Sequence, residues 1–244
     1  MAATKSIYRV SIARSCCARP ASLSSSIRPL YQSRFQTTVS PDIVNKLDET
    51  TARMSSANTG PVSDLIKHDH AELKEFYENV LRASDEDAKV RWQNQFTWEL
   101  ARHSIGEELV VYPAMENYMG EEGKRLADKD RAEHNEVKEL LYKFQGLYPS
   151  DTDFEPTLKS LWNTLSQHIE EEETEDLPKL EDALRDYDPD YSAHLAKSFG
   201  RTKKFVPTRS HPAAPDKPPF ETVVGLMTAP LDRLGDIFRR FPKD

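Results

Sequence analysis

The chain has 244 residues, 30% of them charged, with 8 Gly, 16 Pro and 2 Cys, a length that suits one domain with appendages and a sizeable core. Its formal net charge of -8 hides an asymmetry: residues 1–40 hold six basic side chains (Lys5, Arg9, Arg14, Arg19, Arg28, Arg34) and no acidic one, so the remainder, with 27 basic and 41 acidic residues, stands at -14. An acidic body lacks the basic surface that a polyphosphate partner needs, which argues against nucleic acid as a partner.

Residues 1–40 are also rich in Ser and Ala. That composition, Arg-rich and free of acid, is the mark of a mitochondrial transit peptide, whose cationic amphipathic helix follows the membrane potential inward. A secretory signal is excluded because the apolar run it needs is missing, and no stretch is long and apolar enough to span a bilayer. The expected location is the mitochondrion, the matrix first. Cys16 and Cys17 both lie in this leader; removing it leaves no thiol for disulfides, metal ligation or catalysis. Residues 41–60 read as a short weak helix, PDIVNKLDETTARM, and a polar link.

Four helices are predicted over residues 61–185. In the first, Ile66, His70, Leu73, Tyr77 and Val80 recur at steps of three or four and form one stripe. The second places Trp92, Phe96, Leu100, His103, Glu107, Val110 and Ala114 on its stripe. The third has Ala127, Asp130, His134, Val137, Leu141, Phe144 and Tyr148, and the fourth Leu158, Leu161, Leu165, His168 and Glu172. Each of the four helices thus carries a histidine on its apolar face. The connections near SDED, GEEG and PSDTD are short and turn-rich, so neighbouring helices run antiparallel. The expected fold is all-α: an up-down-up-down four-helix bundle with extra terminal helical segments.

A four-residue step occurs twice on these stripes, His103 to Glu107 and His168 to Glu172, each followed by a second Glu and by a Pro six residues after the first, Pro113 and Pro178. At i and i+4 an imidazole and a carboxylate on one helix face aim at one point. An internal repeat widens the pattern, because the run from Asp69 to Glu75 aligns with that from Glu133 to Glu139. The spacing from His70 to His103 nearly equals that from His134 to His168, so one helical hairpin is used twice. Leaving even one neutral polar group buried without a hydrogen bond costs roughly 2 to 7 kcal/mol. Coordination removes that cost, and a set of N and O ligands without thiolate suits iron, manganese or zinc. A pair of metals held between two such hairpins is the natural occupant.

Residues 61–185 resemble the hemerythrin-like proteins with the HHE cation-binding domain, through DH, H-x-x-x-E-E…YP, EH and H-x-x-x-E-E…LP in that order. The resemblance implies a hemerythrin-like bundle with two non-haem iron ions as cofactor, Zn or Mn being the substitutes. It maps the iron ligands onto His70, His103, Glu107, His134, His168 and Glu172, the glutamates bridging. One position departs: where oxygen-carrying relatives have a further histidine one turn after the third-helix ligand, this chain has Lys138. The iron at His134 is then expected to keep a position for water, O2, NO or peroxide, or for a carboxylate such as Glu136. Glu108 and Glu173 fall off the stripe and are expected to support the bridging residues or substitute for them. His68, His194 and His211 read as surface residues, and Trp92, Trp98, Trp162 and Phe144 as core packing.

After the bundle, DALRDYDPDYSAHLAKSFG reads as a further short helix ending at Gly200, followed by a proline-rich strap. The last segment, 220–244, carries a stripe of Met227, Leu231, Leu234, Ile237 and Phe241 interrupted by Pro230, with Arg239, Arg240 and Lys243 near its end. Packing back on the bundle as a fifth element is expected, with weak peripheral membrane contact as the alternative. The first functional reading is a di-iron binding protein, not an enzyme, that takes O2, NO or reactive oxygen species or reports iron. The others are a di-iron enzyme acting on peroxide, NO or an oxidisable substrate, and an interaction bundle with an incidental metal. A reporter fused to residues 1–40 is expected to reach mitochondria; one that stays cytosolic would remove that assignment.

Overall fold

The computed structural model describes residues 60–213 and 220–243, the side chains of 220–227 excepted. The expected leader, the weak helix after it and part of the strap lie outside the described residues. Among those described there is no strand. The elements are α1 (Val62–Arg82), α2 (Glu86–Gly106), a π turn (Glu107–Val111), α3 (Tyr112–Tyr118), α4 (Gly120–Gln145), α5 (Phe154–Glu171), a second π turn (Glu172–Asp176), α6 (Leu177–Tyr187), α7 (Tyr191–Thr202) and α8 (Phe220–Asp236).

The long helices close into a ring, α1 on α2, α2 on α4, α4 on α5 and α5 on α1, the expected bundle. Local signals set their ends. Asp85 caps α2 by accepting the Ala88 N–H at 2.8 Å, and Glu86 and Asp87 complement the helix dipole in its first turn. The expected connection at GEEG is shorter than its sequence suggests: the chain turns at Gly120, whose φ of 62° favours glycine, and the rest of GEEG is already helix. Tyr148, expected on the third stripe, lies past the end of α4 and is exposed.

Both π turns begin at the glutamate of an H-x-x-x-E step and end just before the Tyr-Pro or Leu-Pro pair. Proline lacks an N–H and its ring clashes with the carbonyl four residues back, so a continuous α-helical register cannot run through Pro113 or Pro178. The extra residue of a π turn absorbs the mismatch and rotates everything after it by about 100°. The consequence is a shifted stripe: Val111 and Tyr112 are fully buried, where α-helical spacing had put Val110 inside.

Two apolar layers result. One gathers Ile66, Val111, Met115, Ala127, Leu177 and Phe199. The other gathers Leu73, Leu100, Val137, Phe144, Leu161 and Leu165. On each long helix the stripe histidine falls between the two layers, so the polar groups occupy a slab with apolar packing above and below. Phe144 is core as expected, and Trp92 and Trp162 pack against that core half-buried. Trp98 instead lies under Arg102 and edge-on to Phe241 at 6.5 Å, outside the core.

The C-terminal arm wraps the bundle. The Val62 N–H donates to Ser192 Oγ at 2.8 Å, and Ser210 Oγ donates to the Lys138 carbonyl at 2.6 Å. Contrary to expectation, Pro230 sits inside α8, and α8 docks by its polar face: Thr208 donates its N–H to Asp232 and its hydroxyl to Asp236, and His211, half-buried, pairs with Asp232 at 3.0 Å. Of the apolar stripe, Leu231, Leu234 and Ile237 point outward at 70%, 56% and 74% exposure, with Phe238 beside them at 82%, while Phe241 is half-buried against Trp98. No helix among the described residues is long and apolar enough to cross a membrane.

The joint between α3 and α4 is tight, since a Cβ on Gly123 would stand 2.0 Å from the Met115 carbonyl oxygen. Gly123→Ala is therefore expected to destabilise the fold by about 1 to 3 kcal/mol, read as a lowered thermal midpoint; an unchanged midpoint would contradict this packing.

Candidate metal centre

The four stripe histidines converge. The His70 and His103 rings are 4.9 Å apart and those of His134 and His168 4.7 Å apart, both pairs edge-on. Glu107 Oε2 lies 3.2 Å from His103 Nε2 on its own helix and 3.5 Å from His134 Nε2 on α4. Glu172 Oε2 lies 3.9 Å from His168 Nε2 and 3.4 Å from His70 Nε2. Each glutamate therefore joins both hairpins. All six expected residues are brought together, and all are buried, Glu107 at 0% and Glu172 at 1% exposure.

The other ring nitrogens make a second circle. His103 Nδ1 is 3.2 Å from Asp69, His134 Nδ1 3.2 Å from Glu108, His168 Nδ1 2.8 Å from Glu133 and His70 Nδ1 2.8 Å from Glu173. A carboxylate only accepts, so each Nδ1 is the donor and each Nε2 faces the centre, where its lone pair serves a ligand once the ring is neutral. The order is cyclic. The residue beside each inward-facing group orients the histidine on the next helix around the bundle: α1 to α2, α2 to α4, α4 to α5, α5 to α1.

Sequence reasoning placed Glu108 and Glu173 behind the glutamates, whereas they hold His134 and His70. It missed Asp69 and Glu133, although the repeat shows an acid before the histidine in both halves. Glu136 is exposed and takes no part, a correction to its expected role beside His134. Lys138, buried, donates to Glu108, so it reinforces a supporting carboxylate. Lys203, at the end of α7, likewise donates to Asp69 and to Glu99. Phe199 of the same helix meets His103 edge-on at 6.1 Å. His68 is exposed as expected and pairs loosely with Glu72.

The missed residue nearest the chemistry is Tyr112. The π turn swings its side chain inward, and its hydroxyl donates to His134 Nε2 at 2.9 Å. Burial and the charges of Glu107 and Glu172 push its pKa well above the usual phenol range, so it remains a donor. Its counterpart in the second hairpin is Leu177, which has no polar group to offer.

Both oxygens of Glu107, both of Glu172 and Nε2 of His70 are buried without a hydrogen bond. Uncompensated carboxylates in an apolar slab are costly, and these atoms aim at the space the four imidazoles surround. His70, His103 and Glu107 form one cluster of ligand atoms, and Glu107, His134 and His168 another, each within 4.8 Å. The donor set fits two cations sharing carboxylates. Groups so arranged on an all-α bundle define a metal-binding helical protein.

A family model for the Hemerythrin HHE cation binding domain matches residues 62–180. Over 190 residues the chain is 54% identical to a hemerythrin-like protein of Schizosaccharomyces pombe, covering 78% of this chain and 92% of that one. The chain belongs to the hemerythrin HHE cation-binding family. It is also 25% identical over 114 residues to a DNA nickase of Nostoc sp., covering 46% of this chain and 31% of the nickase. No solved structure matches it significantly. Lys203 and the arm that carries it lie beyond the residues the family model matches.

Protons compete for the same atoms. Burial lowers the pKa of each of the four central imidazoles, but at His70 the Glu172 and Glu173 carboxylates outweigh it and raise the value to about 9. His168 is raised for the same reason by Glu133 and Glu172, while burial prevails at His103 and brings His134 down to about 4. Glu107 is pushed well up by burial and by the facing Glu172; burial also acts on Glu172, but His70 and His168 hold it down to about 2. Near neutral pH a cation must displace a proton from His70, and the upward shifts of His168 and Glu107 add to that competition. Apparent metal affinity is thus expected to rise from pH 6 to about 9, by up to about tenfold per pH unit for each proton released, and to level off above. Competition against a chelator of known pH dependence measures this, and a flat profile would show that these groups are not the ligands.

Proposed function

We propose that the protein holds two non-haem iron ions, one at His70 and His103 and the other at His134 and His168, with Glu107 and Glu172 shared by both. The same site is read as a binder of O2, NO or reactive oxygen species, or a reporter of iron. The observation that carries this reading is the set of orphaned Glu107 and Glu172 oxygens facing four Nε2 lone pairs that the outer carboxylates fix in place. Iron bound there supplies a changeable oxidation state and room for a small exogenous ligand.

The chain's own residues set the conditions around it. Two apolar layers exclude water, so charge interactions in the slab are strong. The outer carboxylates hold each imidazole in one tautomer, and Lys138 and Lys203 fix two of those carboxylates. Tyr112 presents a hydroxyl to the His134 half alone, where it offers a hydrogen bond to a ligand arriving on that side. That donor is also what favours the second reading, an enzyme reducing peroxide or NO, because reduction consumes protons at the reacting oxygen. Histidine is missing where oxygen carriers have their fifth, and Lys138 is committed to Glu108, so reversible oxygen carriage is not part of the proposal.

Protein purified in air is expected to contain about two irons per chain, to show near-ultraviolet charge-transfer bands, and after reduction to autoxidise with no stable oxygenated form. Stoichiometric zinc without iron would sink the redox reading. Adding peroxide or NO separates the two uses, since sub-stoichiometric consumption marks a binder and sustained turnover an enzyme.

A further inference from the structure

With His70 matched to His134 and Glu107 to Glu172, the residues of one hairpin have counterparts in the other. Some pairs differ in chemistry, as Asp130 does from Ile66; others differ in what covers them. The hairpins meet along two equivalent grooves, α2 against α4 and α1 against α5. The C-terminal arm lies across the first. Arg209 donates to Asn94 on α2 at 3.0 Å, and Ser210 exchanges hydrogen bonds with Gln145 on α4 at 3.0 and 3.1 Å. In that groove Thr97, Ala101 and Ser104 of α2 are buried. Two cations of α4 are turned in and paired, Arg131 with Glu116 at 2.6 Å and Lys138 with Glu108.

The second groove has no such cover among the described residues, and it opens as a cleft of about 460 Å³ between α1 and α5. Trp162 and Ile169, counterparts of Thr97 and Ser104, line it half-buried. The indole is held flat against Tyr77, ring centres 4.5 Å apart. Across from them Lys67, Ala71 and Lys74 follow one another on one face of α1, all exposed. The two lysines match Arg131 and Lys138, yet among the described residues no ion pair fixes either of them. His70 and Glu173, joined at 2.8 Å, complete the lining, so the cleft reaches the outer side of one central imidazole.

We propose that this cleft binds a small organic acid, one carboxylate on a compact apolar body, against the wall of the metal centre. The covered groove shows what its cations require: Arg131 and Lys138 each have a carboxylate, and Lys67 and Lys74 lack one. Lys67, Lys74 and Glu173 together carry one net positive charge, which a single carboxylate cancels and a doubly charged phosphate would overshoot. The ammoniums are set two helical turns apart, about 10 Å along the axis, and Ala71 between them leaves room for the ligand's body. That body lies against Trp162 and Ile169, an apolar surface with few polar groups at its edge, as small-molecule sites have. Lys67, Lys74, Trp162 and Ile169 are not among the six inner residues, so binding does not need the metal. Where the paired-metal reading holds, the acid also meets Glu173, which orients His70, and its influence falls on one metal position alone.

The test uses the full chain stripped of metal, so that it stands apart from the iron reading. Isothermal calorimetry follows titration with 2-naphthoate and, separately, with the neutral 2-naphthamide. Two variants are compared with the wild type: Lys67→Gln with Lys74→Gln, which removes the charges, and Ala71→Leu, which fills the cleft. All three positions are exposed, and circular dichroism checks folding; the comparison of acid with amide decides alone where a variant fails to fold. The wild type is expected to take up one naphthoate per chain, about tenfold or more tighter than the amide. The glutamine pair is expected to bring the acid down to the affinity of the amide, and Ala71→Leu to weaken both by about tenfold. A wild type without saturable binding, equal affinity for acid and amide, or an Ala71→Leu protein that binds like the wild type would overturn the proposal.

Discussion

Two carboxylates, Glu107 and Glu172, face each other in a layer of the bundle that has hydrocarbon on both sides, with no hydrogen bond to any of their four oxygens. Everything around them answers that constraint. Four imidazoles turn their lone pairs inward, four outer carboxylates hold the imidazoles from behind, and Lys138 and Lys203 neutralise two of those carboxylates where they are most deeply buried. Glu133 and Glu173, whose sides are partly exposed, rely more on water. Negative charge is thus concentrated at the centre, where a cation belongs, and offset in the circle of carboxylates around it.

The fold and the inner six residues were legible because both are periodic. A stripe at helical spacing names the core face, and a histidine on that face in each of four helices names the centre. The outer circle was harder to read, since its contacts cross from one helix to the next and have no signature along a single one. Its sign was present all the same: acid beside histidine at Asp69 and Glu133, and acid beside acid at Glu108 and Glu173. Tyr112 escaped for another reason. Helical counting assumes 3.6 residues per turn, and the π turn before Pro113 breaks the count where it matters most, exchanging Val110 for Val111 and turning the tyrosine inward. The proline six residues after each first glutamate was noticed as a regularity; its physical meaning is the change of register.

The C-terminal arm shows the limit of pattern reading from the other side. A helix with an apolar stripe is expected to bury it, yet α8 turns Asp232 and Asp236 to Thr208, Arg209 and His211 and leaves Leu231 and Leu234 outside. Partners that distant in sequence carry no local signal. The same arm delivers Lys203 to Asp69, so the centre is completed by a residue from outside the stretch the family model covers. Gly106 marks the point of contact: a Cβ there would come within 2.8 Å of the Phe199 ring, which leans on His103.

The cyclic order of the outer contacts bears on how such a site is assembled. Within one hairpin, Asp69 orients His103 and Glu133 orients His168. The remaining two contacts, from Glu108 to His134 and from Glu173 to His70, pass between hairpins, as does one arm of each central glutamate. Each hairpin alone is therefore half-supported, and two together are complete, while the link at Met119 and Gly120 supplies none of the contacts. The architecture is that of a symmetric dimer written as one polypeptide. Joining the halves has a consequence that a true dimer could not have. A change in one copy is no longer repeated in the other, so Tyr112 can stand against Leu177 and Asp130 against Ile66, and two equivalent positions for a cation become unequal.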